Sequence, residues 1–287
     1  MSSTPPPPLP IHVEASGRER GPGVETFLLV HGYGACTYTW RHWAPKLALR
    51  GHVLAVDLKG SGRAPKPADG RYGPEHQAEL LTRLIGERDL HRITLIGHSL
   101  GGGVSLLTAL ALADRQPRRL ERLVIVAGAA YEQRMPPFVR LADYPRLSAL
   151  AFRALGARRV IRAVLRQIVH DPSRVDEGQV RGYADPLASA DAVRCLIVTA
   201  RQIRPADLHA ITARYRTLDV PTLLIWGRGD RVVPLSIGER LAQDLPNARL
   251  VVLERCGHLP AEELPEESYA ALERFLDETA APTTPFR

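Results

Sequence analysis

The stretch Arg92–Ala113 constrains the fold of this chain more than any other. It opens on Arg92-Ile93-Thr94-Leu95-Ile96, short, apolar and β-branched, which reads as a buried strand. Gly97-His98-Ser99-Leu100-Gly101 follows, with Gly102 and Gly103 behind it, and Val104 to Ala113 then runs through helix formers without a breaker. The segment is a strand, a sharp turn and a helix, with Ser99 at the turn. A serine there has strained backbone angles, and neighbours with a Cβ would collide with the crossing chain, so glycines bracket it. The turn lifts the hydroxyl above the sheet beside N–H groups at a helix N-terminus, which suit a developing oxyanion. That is the context of a nucleophile elbow, G-x-S-x-G.

The rest of the chain supplies the sheet this turn needs. Met1–Pro10 reads as a proline-rich extended tail, Ile11–Ala15 as a first edge strand and Gly17–Gly23 as a loop. Strands are expected at Thr26–Val30, His52–Val56, Arg122–Val126, Thr222–Trp226 and Arg249–Leu253, and helices at Tyr38–Arg50, Pro74–Asp89, Ser236–Asp244 and Glu266–Glu278. This alternation marks an α/β fold with a mostly parallel, doubly wound sheet. It breaks between Tyr131 and Thr217, where helical periodicity is interrupted by prolines and no strand is legible. The division is therefore residues 1–23 as tail and edge strand, 24–130 as the first part of the core, 131–217 as an inserted all-helical cap, 218–278 as the rest of the core, and 279–287 as a tail.

Composition excludes several classes. With 45% apolar and 24% charged residues the chain is of ordinary globular type, with no run long enough to span a membrane. The N-terminus has neither a basic start nor an apolar core, so no secretory signal is expected. Cys36, Cys195 and Cys256 are odd in number and without metal-like spacing, which points to a reducing, cytoplasmic setting and to no metal. The formal charge of +7 is local: Tyr131–Thr217 holds 15 arginines, no lysine and 8 carboxylates, so the remaining chain sums to zero. The excess belongs to that one segment and not to the chain as a whole, and no nucleic-acid partner is expected.

Ser99, Asp230 and His258 each follow the C-terminal end of a predicted strand, the edge where open parallel sheets gather their active sites. Their order along the chain, Ser then Asp then His, is that of the triad on such sheets. With these motifs the chain resembles the α/β-hydrolase superfamily from about Val24 to Glu278. His31-Gly32-Tyr33-Gly34 is similar to its oxyanion loop, Asp57-Leu58-Lys59-Gly60-Ser61-Gly62 to its D-x-x-G-x-G loop, and Gly227-Arg228-Gly229-Asp230 and Gly257-His258 to its acid and histidine motifs. The resemblance implies that Ser99 attacks, His258 takes its proton and Asp230 orients the imidazole. It also implies backbone N–H donors at Leu100 and at Tyr33, with Gly34 as the alternative second donor. Glu132, just after the preceding strand, is the rival acid. His98 and Trp40 are candidate substrate-binding residues, and His31 reads as a buried loop histidine.

The activity expected is hydrolysis of a small-molecule carboxylic ester through an acyl-enzyme, without cofactor. Two alternatives stay open: carbon–carbon bond hydrolysis on the same fold, and a non-hydrolytic small-molecule receptor. The carbon–carbon relatives commonly carry another residue at the second elbow position and Gly-Pro-Gly after His-Gly; this chain has His98 and Gly34-Ala35-Cys36. In the cap, Arg158, Arg162 and Arg166 recur every fourth residue opposite Val160, Ile161, Val164, Leu165, Ile168 and Val169, a basic amphipathic helix. Either its apolar face covers the cleft with the arginines in water, or the basic face meets a membrane surface or an acidic substrate. Oligomeric state is not legible.

Overall fold

The computed structural model describes residues 8–19, 21 and 23–280. The first seven residues of the proline tail, two residues of the loop before Val24, and residues 281–287 of the C-terminal tail lie outside the described residues. Seven strands form one sheet: β1 His12–Gly17, β2 Thr26–Val30, β3 His52–Asp57, β4 Ile93–His98, β5 Leu120–Val126, β6 Thr222–Gly227 and β7 Ala248–Leu253. Their spatial order is β1-β3-β2-β4-β5-β6-β7. The edge strand β1 runs antiparallel to β3, with Val13 opposite Val56, and all other pairings are parallel.

Both faces of the sheet are covered, which is why its strands are continuous apolar runs rather than alternating ones. In β2, Phe27 and Leu29 point to one side and Leu28 and Val30 to the other, all fully buried. One side packs against helices Pro74–Glu87, Leu100–Arg115 and Leu235–Asp244. The opposite side packs against Trp40, Trp43 and Leu47 and the C-terminal helix Pro265–Glu278.

One helix differs from expectation. Tyr38–Arg50 is split into a 3₁₀ turn, Thr37–Trp40, and a short helix, Ala44–Ala48. Pro45 is the reason: it has no N–H to return to Arg41, so it begins a new helix instead of continuing one.

Between β5 and β6 the described residues contain no strand. Four longer helices, Pro145–Leu155, Ala157–Ile168, Glu177–Ala184 and Ala190–Arg201, carry this stretch. Asp176 and Ser189 cap the last two, accepting from the N–H of Gln179 and Ala192. Among the described residues no helix is long and apolar enough to cross a membrane.

Candidate active site

Each strand of the parallel sheet delivers one loop to the same edge, and the side chains of interest lie on those loops. Ser99 follows β4 directly and caps helix Leu100–Arg115, with φ +53° and ψ −120°, a left-handed conformation rare outside glycine. The surroundings hold it there. Its N–H donates to Val126 O at 3.0 Å, and its carbonyl accepts from Gly102 N at 2.9 Å and Ala129 N at 3.0 Å. A Cβ on Gly101 would strike the carbonyl oxygens of Val30 and His31, so only glycine lets the helix start this close to β2.

Asp230 and His258 reach Ser99 because the loops after β6 and β7 are tied together. Arg228 N donates to Leu253 O and Gly229 N to Cys256 O, both at 2.9 Å. His258 Nε2 lies 2.9 Å from Ser99 Oγ, and its Nδ1 lies 2.8 Å from Asp230 Oδ2. The other carboxylate oxygen, Asp230 Oδ1, accepts from Val232 N at 2.8 Å and Val233 N at 2.9 Å. With Nδ1–H facing the carboxylate, Nε2 is left free to accept from the serine hydroxyl. The three side chains are buried together.

The rival acid takes no part in this chain of bonds. Glu132 is exposed at the cavity mouth and pairs with Arg204 at 3.0 Å. His31 is a buried loop histidine: Nδ1–H donates to Gly32 O at 2.8 Å and Nε2 accepts from Leu58 N at 3.1 Å. Burial lowers its pKa, against the raising effect of Asp57. Asp57 itself joins two loops, accepting from Thr37 N at 2.7 Å and Arg63 N at 2.8 Å.

His98 lines the cavity, and its Nε2–H donates to the carbonyl of His258 at 2.8 Å. Its Nδ1 is buried and has no hydrogen-bond partner among the described residues. Burial, reinforced by the His258 charge, pushes its pKa down to about 3, so His98 is a neutral prop beneath the His258 backbone. Trp40 is a correction. It stacks beside Trp43 on the far side of the sheet, 5.7 Å between ring centroids, and is not among the residues lining the cavity. The 3₁₀ turn at Thr37–Trp40 aims Thr39, not Trp40, at the cavity.

Tyr33 and Leu100 both line the cavity beside Ser99. Leu100 is the first residue of its helix, where an N–H has no intrahelical acceptor. Most of the remaining lining is apolar and comes largely from the helical insertion, including Phe138, Phe152, Ile161, Leu165 and Ile197. Val160, Ile161, Val164, Leu165 and Ile168 turn inward, while Arg158 and Arg162 face outward and pair with Asp185 at 3.1 Å and Glu177 at 2.6 Å.

Sequence reasoning missed Glu263. Its carboxylate accepts from the N–H groups on both sides of His258, Gly257 at 3.0 Å and Leu259 at 2.9 Å, and from His170 N in the insertion at 2.6 Å. His258 N in turn donates to Ile168 O at 2.9 Å. A Cβ on Gly257 would strike that same insertion backbone, so the glycine permits the contact. The only legible signal is a glutamate five residues after His258, and its partners are backbone groups that leave no trace in residue type.

A family model described as alpha/beta hydrolase fold matches residues 25–265. The chain belongs to the α/β-hydrolase fold family. Among similar members is an uncharacterized hydrolase of Bacillus subtilis, YugF, 31% identical over 86% of this chain and 88% of its own. A 2-hydroxy-6-oxononadienedioate/2-hydroxy-6-oxononatrienedioate hydrolase of Cupriavidus pinatubonensis is 27% identical over 84% of this chain and 82% of its own. A pimeloyl-[acyl-carrier protein] methyl ester esterase of Nitrosomonas europaea is 29% identical over 90% and 96%. This α/β-hydrolase is thus a hydrolase whose similar proteins include both a methyl ester esterase and a hydrolase of oxo-dienedioates.

Proposed function

We propose that the protein is a serine hydrolase that cleaves carboxylic esters. The observation that carries this reading is the continuous hydrogen-bond chain Ser99–His258–Asp230 at the floor of an apolar cavity. In this reading Ser99 Oγ attacks the ester carbonyl carbon as His258 Nε2 takes its proton, and Asp230 steadies the imidazolium. The negative oxygen is held by the N–H groups of Leu100 and Tyr33. Collapse breaks the bond to the alkoxy oxygen, to which His258 returns the proton. Water then enters, loses a proton to His258, and attacks the acyl carbon to free Ser99 and a carboxylic acid. Residues 131–217 act as a cap that excludes bulk water and supplies the acyl pocket, and the three free, buried thiols fit a cytoplasmic setting.

The lining favours an ester over the carbon–carbon substrate suggested by the Cupriavidus relative. A dioate brings carboxylates into the site, and burying them needs cations. The one arginine of the lining among the described residues, Arg204, stands at the exposed mouth and is already paired with Glu132. A panel of p-nitrophenyl esters of increasing chain length, run beside a 2-hydroxy-6-oxo-dienoate, tests the choice. Faster cleavage of the dienoate refutes the ester reading. Absence of turnover on both, with no labelling of Ser99 by a fluorophosphonate, favours a receptor.

A further inference from the structure

The helix Pro145–Leu155 carries its apolar stripe on the outside. At 3.6 residues per turn, Leu147, Leu150 and Ala154 fall on one side, while Leu155, the last residue of the helix, and Tyr144, just ahead of it, stand at its two ends. Helices of globular proteins normally turn such a stripe inward. Here Tyr144, Leu147, Leu150 and Leu155 are 66%, 53%, 55% and 53% exposed, while Ser148 takes the buried side. They are four of the five large apolar side chains standing that far into solvent among the described residues. Gathered within twelve residues, they form a patch rather than scattered exceptions.

The charge beside the stripe is uncompensated. Residues 140–159 contain five arginines and one carboxylate, Asp143. Arg158 is engaged by Asp185, but Arg146 and Arg153, which flank the leucines, and Arg159 have no carboxylate partner among the described residues. On the neighbouring helix Ala157–Ile168, Arg158 and Arg162 are taken up by ion pairs, whereas Arg146 and Arg153 stand unpaired among the described residues, beside the exposed leucines. Exposed leucines edged by free arginines are the pattern of a helix lying in a lipid headgroup region. Self-association would bury the arginines of two copies in one patch, with only Asp143 of each to offset them.

We propose that this face docks on an anionic lipid bilayer, leucines at the headgroup–acyl boundary and arginines among the phosphates. Its position links it to the cavity: Phe152, Leu187 and Ile197 line both the cavity and the surface groove beside this helix. The groove opens on the Arg146 and Arg153 side of the leucines, so docking brings its mouth beside the headgroups, which suits an amphiphilic ester drawn from the bilayer. This corollary rests on the ester reading; the docking does not.

The test is co-sedimentation of the full chain with phosphatidylglycerol–phosphatidylcholine vesicles, against phosphatidylcholine alone, at low salt. The wild type is expected to bind the anionic vesicles and to release as salt shortens the Debye length. Arg146→Gln with Arg153→Gln should weaken binding up to about thirtyfold, near fivefold for each arginine. Leu147→Asn with Leu150→Asn should weaken it at least about tenfold, and both variants should keep wild-type melting and p-nitrophenyl acetate turnover. A wild type that stays in the supernatant, or variants that bind as well as it does, overturns the proposal. So does a dimer in sedimentation velocity that the leucine variant dissociates. Vesicle binding without any turnover sinks the ester reading and leaves the docking intact; turnover without vesicle binding does the reverse.

Discussion

The strand-end edge and the helical insertion face one another across the cavity, yet they hold their side chains by different means. At the edge, Ser99 is fixed by backbone hydrogen bonds to its N–H and carbonyl, the Asp230 carboxylate by two backbone N–H groups, and the loop of His258 by the carboxylate of Glu263. In the insertion, Arg158 and Arg162 are held by exposed ion pairs, and the helix Pro145–Leu155 leaves its apolar side in water. Buried bonds to charged groups are worth more than exposed ion pairs, which contribute about 0 to 1 kcal/mol. The edge is therefore built to hold atoms in register, and the insertion to offer a surface. Changes on the two sides should differ in size and kind.

The largest expected effect is at the edge. Ser99→Ala and His258→Ala should each lower kcat on a p-nitrophenyl ester by about 10⁴-fold or more, because the residues act as a unit. Asp230→Asn should cost about 10⁴-fold through the wrong imidazole tautomer, while Glu132→Gln stays near wild type. A dead Glu132→Gln beside an active Asp230→Asn would reverse the assignment of the acid.

Glu263→Gln comes next. It keeps the size of the side chain but weakens the carboxylate bonds that bracket His258 and tie down His170. A displacement of His258 relative to Ser99 should lower kcat by about 10- to 100-fold with KM little changed. Should KM rise while kcat holds, Glu263 serves the insertion rather than His258.

His98 gives a pH signature. Its folded pKa, about 3, lies below the unfolded value near 6.5, so the unfolded chain binds the extra proton between them. The stability this contributes is complete above pH 6.5 and is lost as pH falls toward 3. His98→Asn should therefore make the acid-side fall of unfolding free energy shallower, by up to about 1.4 kcal/mol per pH unit, and the fall of Tm shallower with it. An unchanged slope in a melting series would contradict a buried neutral His98.

The smallest effect is expected in the insertion. Arg162→Gln removes an exposed ion pair with Glu177 and should shift stability by less than about 1 kcal/mol, with the shift vanishing at high salt. A loss comparable to that of a buried group, read by chemical denaturation, would erase the contrast between the two sides.

The α/β plan and the turn at Ser99 were settled within short windows of sequence. Strand runs such as Thr26–Val30 and the glycines about Ser99 report on local sterics and burial, which need no partner elsewhere to be legible. The break in strand–helix alternation at Tyr131 is local for the same reason. Tertiary structure decided what depends on meetings across the chain. Asp230, and not Glu132, meets His258 because the loops after β6 and β7 share backbone bonds. Trp40 lies on the far side of the sheet because the 3₁₀ turn Thr37–Trp40, in place of the helix expected there, aims Thr39 at the cavity instead. Glu263 grips backbone N–H groups, which every residue but proline carries, so nothing in the residue types announces it. The helix Pro145–Leu155 has an apolar stripe that any periodicity would place inside. Only the packing of its neighbours, which bury the Ser148 side instead, turns the leucines outward.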